Sequence, residues 1–505
     1  MYNLIHVTIT LKYIRMKTKI FIISLLVISL CSCDSNFLEI PSQTTLSTPV
    51  YFKTQTDFQQ AINGTYSGLR GLYSNAWAMG ELRADNAYYV YNPDDRGTIQ
   101  PEQIADFVEQ ADNGVVLNKY VNDYSIISRA NQVLDLIDGV EFDATVKNKL
   151  KGEAYFLRAF CYFDLVQYFG KITLHLKPAT TLAETALPLT SIDSVYQQII
   201  ADAKLAASLL PKKSAQDPGR ATSGAAKTLL ANTYIVLKQW DNAITVLTDV
   251  EFAAEYKLIT SSYANVFDPN NKNNSESIFE IQYKEGSDGY ASNFIYQFIP
   301  QPITADEVTA ITGVAVETPR TVEGYNIPTP DIIAAYEPGD LRKDATIGYC
   351  TARGKSYPYL KKHSHAHAQT NLTNDNWPVY RYAEVLLFLA ESYNEKGQPT
   401  SALLYLNQVR SRAGLPNVTT TDQTALRTII LNERRVELAF ENKRWLDLVR
   451  TGNAESVMKA FGARVFANPQ AYYFPVGISP IPASYKTINT TFALPAAESS
   501  VSPYF

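Results

Sequence analysis

The chain contains few cysteines, histidines and tryptophans for its length. Its 505 residues include 4 cysteines, 5 histidines and 4 tryptophans, and only Cys161 and Cys350 lie beyond Cys33. Two cysteines cannot hold a disulfide-built scaffold together, so the fold must depend on an ordinary apolar core. The 46% apolar content supports such a core. A chain of this length could form two or three packing units of about 150 residues or one large helical array.

Positive charge and catalytic motifs are also scarce. The formal net charge is −5 at pH 7, so the chain has no excess of positive charge and we expect no nucleic-acid partner. No two glycines are separated by one residue, so the dinucleotide-binding fingerprint is absent, and no histidine is followed by glutamate, so the common zinc-protease motif is absent too. The complete phosphate-loop pattern Gly-x4-Gly-Lys-Ser/Thr and the Gly-x-Ser-x-Gly elbow are missing as well. These absences favour a protein that is not an enzyme and that carries no cofactor.

The N-terminal region lacks an apolar run long enough to cross a membrane. Residues 20–30 form a run of 11 mainly apolar residues, whereas a spanning helix needs roughly 20. The run follows Lys17 and Lys19 and precedes small residues, which is the order of a secretory signal. We therefore predict a signal peptide over residues 1–32, with Met16 as an alternative start.

The end of this signal predicts a lipid anchor. Leu30-Cys31-Ser32-Cys33 resembles the bacterial lipobox, in which a leucine and small residues precede a cysteine that is lipidated and becomes the mature N-terminus. Cys33 is then the lipidation site, and acyl-chain methylenes hold the protein on a membrane at about 0.8 kcal/mol each. The alternative is an ordinary cleaved signal with two incidental thiols.

Six segments place apolar residues at helical spacing and predict a mainly α-helical protein. They are residues 125–137, 149–169, 192–209, 221–237, 379–394 and 425–450. Leu230-Ala231, Tyr234, Ala243 and Leu247 recur at identical spacing as Leu389-Ala390, Tyr393, Ala402 and Leu406. This repeat resembles the tetratricopeptide helix hairpin, which buries its face by stacking on neighbours. We expect degenerate copies around residues 125–210.

Three long stretches of another composition interrupt the helices and are rich in Asn, Asp, Gly, Tyr and Pro. They cover residues 73–103, 267–330 and 336–377. Ordered loops longer than roughly 12–15 residues are usually functional, so the ligand site is expected there. Tyrosine is the abundant aromatic, with 33 residues, and it combines a flat apolar face with a hydroxyl, as sugars do.

The candidate binding residues are aromatic side chains mixed with amide and guanidinium groups. Rings stack on the apolar face of a sugar, while polar groups pair with hydroxyls that would otherwise be buried without partners. The candidates are Trp77, Arg83, Asn86, Tyr88, Tyr89, Tyr91 and Asn92 in the first stretch, and Tyr290, Phe294 and Tyr296 in the second. The alternative is that these residues pack the loops onto the helical body.

Two further clusters have a structural and a functional interpretation. Glu433, Glu437 and Glu441 follow i, i+4 spacing and are predicted to share one helix face, where two of them could form a glycosidase pair, which needs carboxyl groups about 5–10 Å apart. Interleaved arginines favour a buried ion-pair lattice instead. His363, His365 and His367 alternate and could bind zinc or copper in an extended segment, although a solvated loop is the favoured interpretation. We predict no metal site.

Several segments together resemble the SusD/RagB family of outer-membrane nutrient-binding lipoproteins over nearly the whole mature chain. They are residues 33–39 (CDSNFLE) with Pro41, 129–131 (RAN), 153–159 (EAYFLRA) running to 168–170 (YFG), 275–280 (SESIFE), 381–387 (RYAEVLL), 407–415 (NQVRSRAGL), and 433–435 (ERR) through 444–450 (RWLDLVR). The tail, residues 493–505, departs from the Gln-Asn-Pro-Gly-Tyr ending that is common in the family.

The resemblance implies a tetratricopeptide-like helical body with long irregular ligand-binding loops. It divides the mature chain into an N-terminal region, residues 33–270, and a C-terminal region, residues 271–505, that form one compact fold. It also implies a non-catalytic lipoprotein on the outer membrane that captures a glycan and delivers it to a SusC-like TonB-dependent transporter. The alternative ligand is a peptide or another nutrient, and a surface hydrolase is the third possibility.

Overall fold

The computed structural model describes residues 51–252, 255–318 and 321–504. The predicted signal peptide and the lipidation site Cys33 lie outside these residues. Thr54–Phe505 forms one compact unit. Within the described ranges no helix has the length and apolar content needed to cross a bilayer.

The described part of the chain contains eighteen α-helices and six short strands. The helices are α1 (Gln55–Tyr73), α2 (Gln100–Ala105), α3 (Gly114–Leu136), α4 (Ala144–Phe169), α5 (Leu182–Thr185), α6 (Ile192–Leu209), α7 (Ser223–Val236), α8 (Trp240–Phe252), α9 (Phe294–Phe298), α10 (Ala305–Thr312), α11 (Pro330–Ala335), α12 (Lys343–Thr346), α13 (Tyr382–Glu395), α14 (Pro399–Arg412), α15 (Gln423–Glu437), α16 (Arg444–Arg450), α17 (Ala454–Ala467) and α18 (Ala496–Ser499). The strands are β1 (Ala87–Tyr88), β2 (Ser277–Ile281), β3 (Ile327–Pro328), β4 (Ile347–Ala352), β5 (Lys355–Leu360) and β6 (Trp377–Arg381).

The long helices pack one after another into a single body. Side-chain caps start several of them, because the first amide groups of a helix have no partner inside it. The capping residues are Thr54 for α1, Asn113 for α3, Ser191 for α6, Thr222 for α7 and Asp422 for α15. Helix α4 contacts both α3 and α6 and is buried along most of its length, so the core runs beside it. The predicted mainly α-helical class is confirmed.

The sequence repeat corresponds to two helix hairpins that lie side by side. The first copy forms α7 and α8, the second forms α13 and α14, and α8 packs on α13. Ala231 and Ala243 of the first copy and Ala390 and Ala402 of the second are fully buried, which lets the paired helices approach closely. Helices α3, α4 and α6 extend the same stack over the region where degenerate copies were expected. The tetratricopeptide-like body is therefore confirmed.

The prediction of one continuous helix over residues 425–450 is wrong, because this segment forms two helices with a break between them. Helix α15 ends at Glu437 and α16 begins at Arg444. Between them Phe440 and Asn442 have φ angles of 66° and 60°, a left-handed conformation that interrupts a right-handed helix. The prediction for residues 379–394 also starts too early, since Trp377–Arg381 is strand β6 and α13 follows it.

The strands pair across the long loops and hold them on the helical body. Each sheet has two strands, and the pairs are β1 with β3, β2 with β6, and β4 with β5, all antiparallel. The β1–β3 pair joins the first loop stretch to the second. A π-helical turn, Ala78–Leu82, precedes β1 and is buried throughout.

Candidate ligand-binding site

The three glutamates considered as a glycosidase pair belong to a buried lattice of ion pairs. Glu433, Glu437 and Glu441 are 3%, 0% and 3% exposed. Glu441 lies beyond the end of α15, so the prediction that all three share one helix face is wrong. The lattice itself is confirmed, and its cations are Arg342, Lys362, Arg381, Arg410 and Arg412.

Glu437 lies at the centre of this lattice, which we call the charge lattice. Burial alone would raise the pKa of its carboxyl, but the guanidinium groups of Arg412, Arg381 and Arg342 outweigh burial and lower it. The distances from Glu437 oxygens to Arg342 Nη1 and Arg381 Nη1 are both 3.0 Å. A carboxylate whose oxygens are all bonded to buried cations has no access to a substrate. These glutamates are therefore structural.

The three alternating histidines do not converge. His363 is buried at 3% exposure, and burial lowers its pKa to about 4. The rings have separate partners, which are Trp377 for His363, Asp375 for His365 and Tyr296 for His367. Within the described ranges no group of three or more His, Cys, Asp or Glu side chains has the arrangement of a metal site.

Seven of the ten candidate binding residues lie in the interior. None of the seven exceeds 3% exposure, and they are Trp77, Arg83, Asn86, Tyr88, Tyr89, Phe294 and Tyr296. Because protein atoms already cover these side chains, they have no face to offer a ligand. The expectation that they form an exposed platform is corrected to a packing role, which was the alternative interpretation. Asn92 is also buried, at 8% exposure, whereas Tyr91 is half-buried and Tyr290 is 47% exposed.

Arg83 is completely buried among aromatic rings. Its guanidinium carbon lies 4.2 Å from the ring centroids of Phe107 and Phe492 and 5.0 Å from that of Trp445. Burial lowers the pKa of the guanidinium, and an ion pair with Glu109 at 2.9 Å acts against that shift. Arg83 therefore fastens the first loop to the C-terminal part of the chain.

Tyr88 and Tyr89 form a second anchor. Their rings stack with centroids 4.6 Å apart, and their hydroxyls donate to the two carboxylate oxygens of Asp106 at 2.6 and 3.1 Å. Burial raises the pKa of Asp106 to about 6 in spite of these donors. The pair holds the loop to the segment after α2.

The π-helical turn fits against the break between α15 and α16. Glu81 Oε1 accepts from Asn86 Nδ2 and from the Phe440 amide, both at 3.0 Å. A Cβ on Gly80 would lie 2.9 Å from Asn442 Cβ, so only glycine permits this approach. Burial raises the pKa of Glu81 to about 7.

Trp77 and Phe294 belong to a row of buried rings that supports both loop stretches. Trp77 lies 5.4 Å from Tyr325 and 5.4 Å from Phe298, measured between ring centroids. Phe298 continues to Phe294 at 6.2 Å, and Phe294 to Tyr283 at 5.4 Å. We call these five residues the aromatic row.

The outer part of the first loop forms a cleft of about 210 Å³ with the second loop. We call it the loop cleft, and it is lined by Val90, Asn92, Asp95, Arg96, Gly97, Thr98, Glu102, Gln301, Val322, Glu323 and Tyr325. Asn92 Nδ2 donates to Gln301 Oε1 at 3.2 Å and so joins the two loops at the cleft. Of the ten predicted residues, Asn92 lines this cleft and Tyr91 stands next to it.

Arg96 organises the polar side of the loop cleft. Its guanidinium carbon lies 3.6 Å from the Tyr91 ring centroid, and its Nη2 pairs with Glu102. Arg96 Nη1 is buried and has no acceptor among the described residues, while the Arg96 side chain as a whole is 31% exposed. Burial raises the pKa of Glu102 to about 7, although Arg96 acts in the opposite direction. The cleft thus combines a ring, an amide, a guanidinium and a carboxyl.

The prediction from sequence missed Arg96, Glu102, Gln301 and Tyr325. Arg96 and Glu102 lie inside the first predicted stretch, five and eleven positions after Tyr91, so their charge beside an aromatic run was the available signal. Gln301 and Tyr325 lie in the second stretch and join the cleft only through tertiary contacts.

The fold and the cleft define a helical-repeat protein with a binding site built from loops. Comparison with known families agrees with this class. The SusD family matches residues 339–503, and the family described as "Starch-binding associating with outer membrane" matches residues 36–235. One SusD-like protein of Formosa agariphila is 30% identical, with 86% of this chain and 90% of the relative covered. The chain belongs to the SusD family.

Other relatives and solved structures give the same result. A second SusD-like protein of Formosa agariphila is 29% identical over 87% of this chain and 92% of its own. A SusD-like carbohydrate-binding protein from Bacteroides fragilis superposes with a TM-score of 0.73 at 24% identity, covering 90% of this chain and 99% of that one. Surface glycan-binding protein A from Bacteroides thetaiotaomicron, in complex with laminarihexaose, gives 0.72 at 20% identity, covering 89% and 98%. These structures establish the shared fold.

Proposed function

We propose that this protein is a non-catalytic, lipid-anchored glycan-binding protein of the outer membrane, facing the exterior. In this proposal it captures an oligosaccharide or polysaccharide in the loop cleft and delivers it to a SusC-like TonB-dependent transporter. Membership of the SusD family supports the general role, and two of the similar structures are described as a laminarin-binding SusD-like protein and a laminarihexaose complex.

The observation that carries the proposal is the combination of an aromatic ring, an amide and a guanidinium at the loop cleft. The Tyr325 ring, the Asn92 amide and the Arg96 side chain, which is 31% exposed, line the cleft. The half-buried Tyr91 lies beside it, under the Arg96 guanidinium. A sugar needs this combination, because its ring has apolar C–H faces and its hydroxyls lose hydrogen bonds to water when they are buried.

The binding test uses the chain from residue 34 onward, which contains the whole compact unit. Affinity gel electrophoresis against starch, laminarin and other polysaccharides should show retardation by at least one glycan. Tyr91→Ala should weaken that binding about tenfold or more, because truncating a contact aromatic costs roughly 2 kcal/mol. Tyr504→Ala is the matched control, since Tyr504 is an exposed tyrosine outside the cleft.

The outcomes separate the candidate ligands. Retardation that Tyr91→Ala removes and Tyr504→Ala preserves supports glycan binding at the loop cleft. Absence of retardation by every glycan, together with binding of oligopeptides, would replace the glycan with a peptide. Release of shortened products from a bound glycan would identify a hydrolase and contradict the non-catalytic role.

The anchor and the transporter need a separate test in cells. Cys33→Ala should move the protein from the membrane fraction to the soluble fraction and abolish incorporation of labelled palmitate. Affinity purification of the lipidated form should recover a TonB-dependent barrel, and deletion of the gene should reduce uptake of the bound glycan. Membrane retention by the Cys33→Ala variant would contradict the anchor, and recovery of no barrel would contradict the proposed partner.

A further inference from the structure

A second open cleft of about 420 Å³ lies between α1, the segment before α7 and the end of β2. We call it the α1 cleft. It is lined by Asn63, Gly64, Tyr66, Ser67, Arg70, Pro218, Gly219, Arg220, Gln282 and Tyr290. None of these residues lines the loop cleft. Of the ten residues predicted from the sequence, Tyr290 is the one that lies here.

Arg70 and Tyr290 form the accessible part of the α1 cleft. The Arg70 guanidinium carbon lies 4.8 Å from the Tyr290 ring centroid, and 47% of Tyr290 is exposed. Arg70 Nη2 donates to Ser67 Oγ at 2.6 Å, and no carboxylate within the described ranges pairs with this guanidinium. A guanidinium has five N–H donors, so most of those of Arg70 are available to a ligand.

Positive charge is concentrated around this cleft although the chain as a whole is acidic. Arg220 pairs with the buried Glu153 and so is neutralised. Arg129 of α3 donates from Nη1 to the Gly64 carbonyl at 2.7 Å and has no carboxylate partner in the described part of the chain. Arg70 beside the exposed Tyr290 ring and Arg129 beside Gly64 therefore leave unneutralised charge at this cleft, in a protein whose formal net charge is −5. Such a local excess attracts anions.

Contacts within the protein already hold the walls of the α1 cleft in place. Gly219 has a φ angle of 82°, and a Cβ there would lie 2.5 Å from the Gln282 side chain, so this wall requires glycine. On the opposite wall the Tyr66 hydroxyl accepts from the Ala221 amide at 2.9 Å. The Arg70 carbonyl accepts from the Tyr283 hydroxyl at 3.3 Å, which connects the cleft to the aromatic row. A preformed cleft costs a ligand little ordering.

We propose that the α1 cleft is a second binding site, for a sugar residue that carries an anionic group. Tyr290 stacks on the sugar ring, and Arg70 forms paired hydrogen bonds to a carboxylate or a sulfate ester. Guanidinium suits such planar or multi-oxygen anions because its donors point in parallel. The inference deepens the proposed glycan-binding function, because it assigns a ligand class to a separate site.

The test uses short ligands that fill one cleft, with the chain from residue 34 onward. Isothermal titration would measure binding of a carboxylated trisaccharide (trigalacturonate), its methyl ester, and a sulfated disaccharide. At least one of the two anionic ligands should bind, and the methyl ester should not. Arg70→Gln should weaken that binding by about tenfold or more, as expected for hydrogen bonds to charged groups. Tyr290→Ala should weaken it by about tenfold as well, because it removes the stacked ring. Higher salt should also weaken it.

Matched controls separate this site from the loop cleft and from net charge. Arg353→Gln removes the same charge from the exposed turn between β4 and β5 and should leave binding of the anion unchanged. Tyr504→Ala, at an exposed tyrosine that lines neither cleft, should also leave it unchanged. Equal binding by the wild type and Arg70→Gln, or no binding of either anionic sugar, would overturn the α1 cleft proposal. Loss of neutral glycan binding in Tyr91→Ala would still support the loop cleft in that case, so the two failures are distinguishable.

Discussion

The charge lattice and the loop cleft contain the same kinds of charged groups but differ in how deeply those groups are buried. Both place glutamate beside arginine, but Glu437 is completely buried and bonded to Arg342, Arg381 and Arg412, whereas Glu102 at the loop cleft pairs with Arg96, whose side chain is 31% exposed. The comparison shows that a charged cluster in the sequence does not by itself indicate function. What distinguishes the cleft is a charged side chain that solvent, and therefore a ligand, can reach.

The charge lattice should give the largest effect on stability. Glu437→Gln should lower the free energy of unfolding by about 3–5 kcal/mol, because it leaves buried guanidinium groups short of a countercharge. Denaturant unfolding measures this change. The control is Glu455→Gln, which removes an exposed carboxylate of α17 paired with Lys459 and should leave stability unchanged. If both variants had equal stability, the lattice would not hold the fold together.

A smaller effect separates two tyrosines of the first loop. Tyr88→Ala should destabilise the fold by about 3 kcal/mol, since it removes a buried ring and a hydroxyl that donates to Asp106. Tyr91→Ala should change stability by less than about 1 kcal/mol, because this ring is half-buried. Thermal unfolding measures both. Loss of glycan binding without loss of stability in Tyr88→Ala would contradict the division into anchor and cleft.

Two carboxyl groups, Glu102 at the loop cleft and Asp447 of α16, should respond to pH with opposite signs. Burial raises the pKa of Glu102 from 4.5 to about 7, so the folded state holds this proton more tightly than the unfolded state does. Stability from this group is present below about pH 4.5 and is lost as the pH rises through about 7. Glu102→Gln should therefore make the decline in unfolding free energy between pH 5 and 8 shallower, by on the order of 1 kcal/mol.

Asp447 provides the contrasting case. Burial would raise its pKa, but Arg434 and Arg450 outweigh burial and lower it from 3.8 to about 2. Its stabilising contribution is present above about pH 3.8 and is lost as the pH falls through about 2. Asp447→Asn should flatten the acid side of the stability profile. Identical slopes for Glu102→Gln and the wild type between pH 5 and 8 would contradict the assignment for Glu102.

The smallest effect is expected at the surface pair between Arg353 and Asp94. The charged atoms are 3.9 Å apart, and the side chains are 56% and 76% exposed. Arg353→Ala should lower the unfolding free energy by less than about 0.5 kcal/mol, since solvent screens such pairs. Chemical denaturation would show this. A loss above about 1 kcal/mol would mean that the turn between β4 and β5 helps to hold the first loop.

The helical body was predictable because its signal is local. Small and apolar residues at fixed spacing in α7, α8, α13 and α14 report a helix hairpin without knowledge of the rest of the fold. The break after α15 was not predictable in this way. Phe440 and Asn442 adopt left-handed conformations that the surrounding tertiary structure maintains, and the apolar period passes through them without interruption.

The binding residues were harder to predict for a related reason. Tyr88, Tyr89 and Tyr91 are the same residue type in one short run, yet two are buried and one is half-buried. Their difference depends on distant partners such as Phe474, which packs near all three rings. Composition identified the stretches whose residues line the loop cleft, but it could not say which side chains face outward.

The close fit between Gly80 and Asn442 has a consequence for how this protein can change. The inner part of the first loop is clamped to the scaffold through the π-helical turn, Arg83 and the stacked tyrosines, while residues 91–98 project beyond that clamp. Substitutions or insertions in the projecting segment leave the clamp untouched. The sequence of residues 91–98 can therefore change, and the lining of the loop cleft with it, while the fold stays the same.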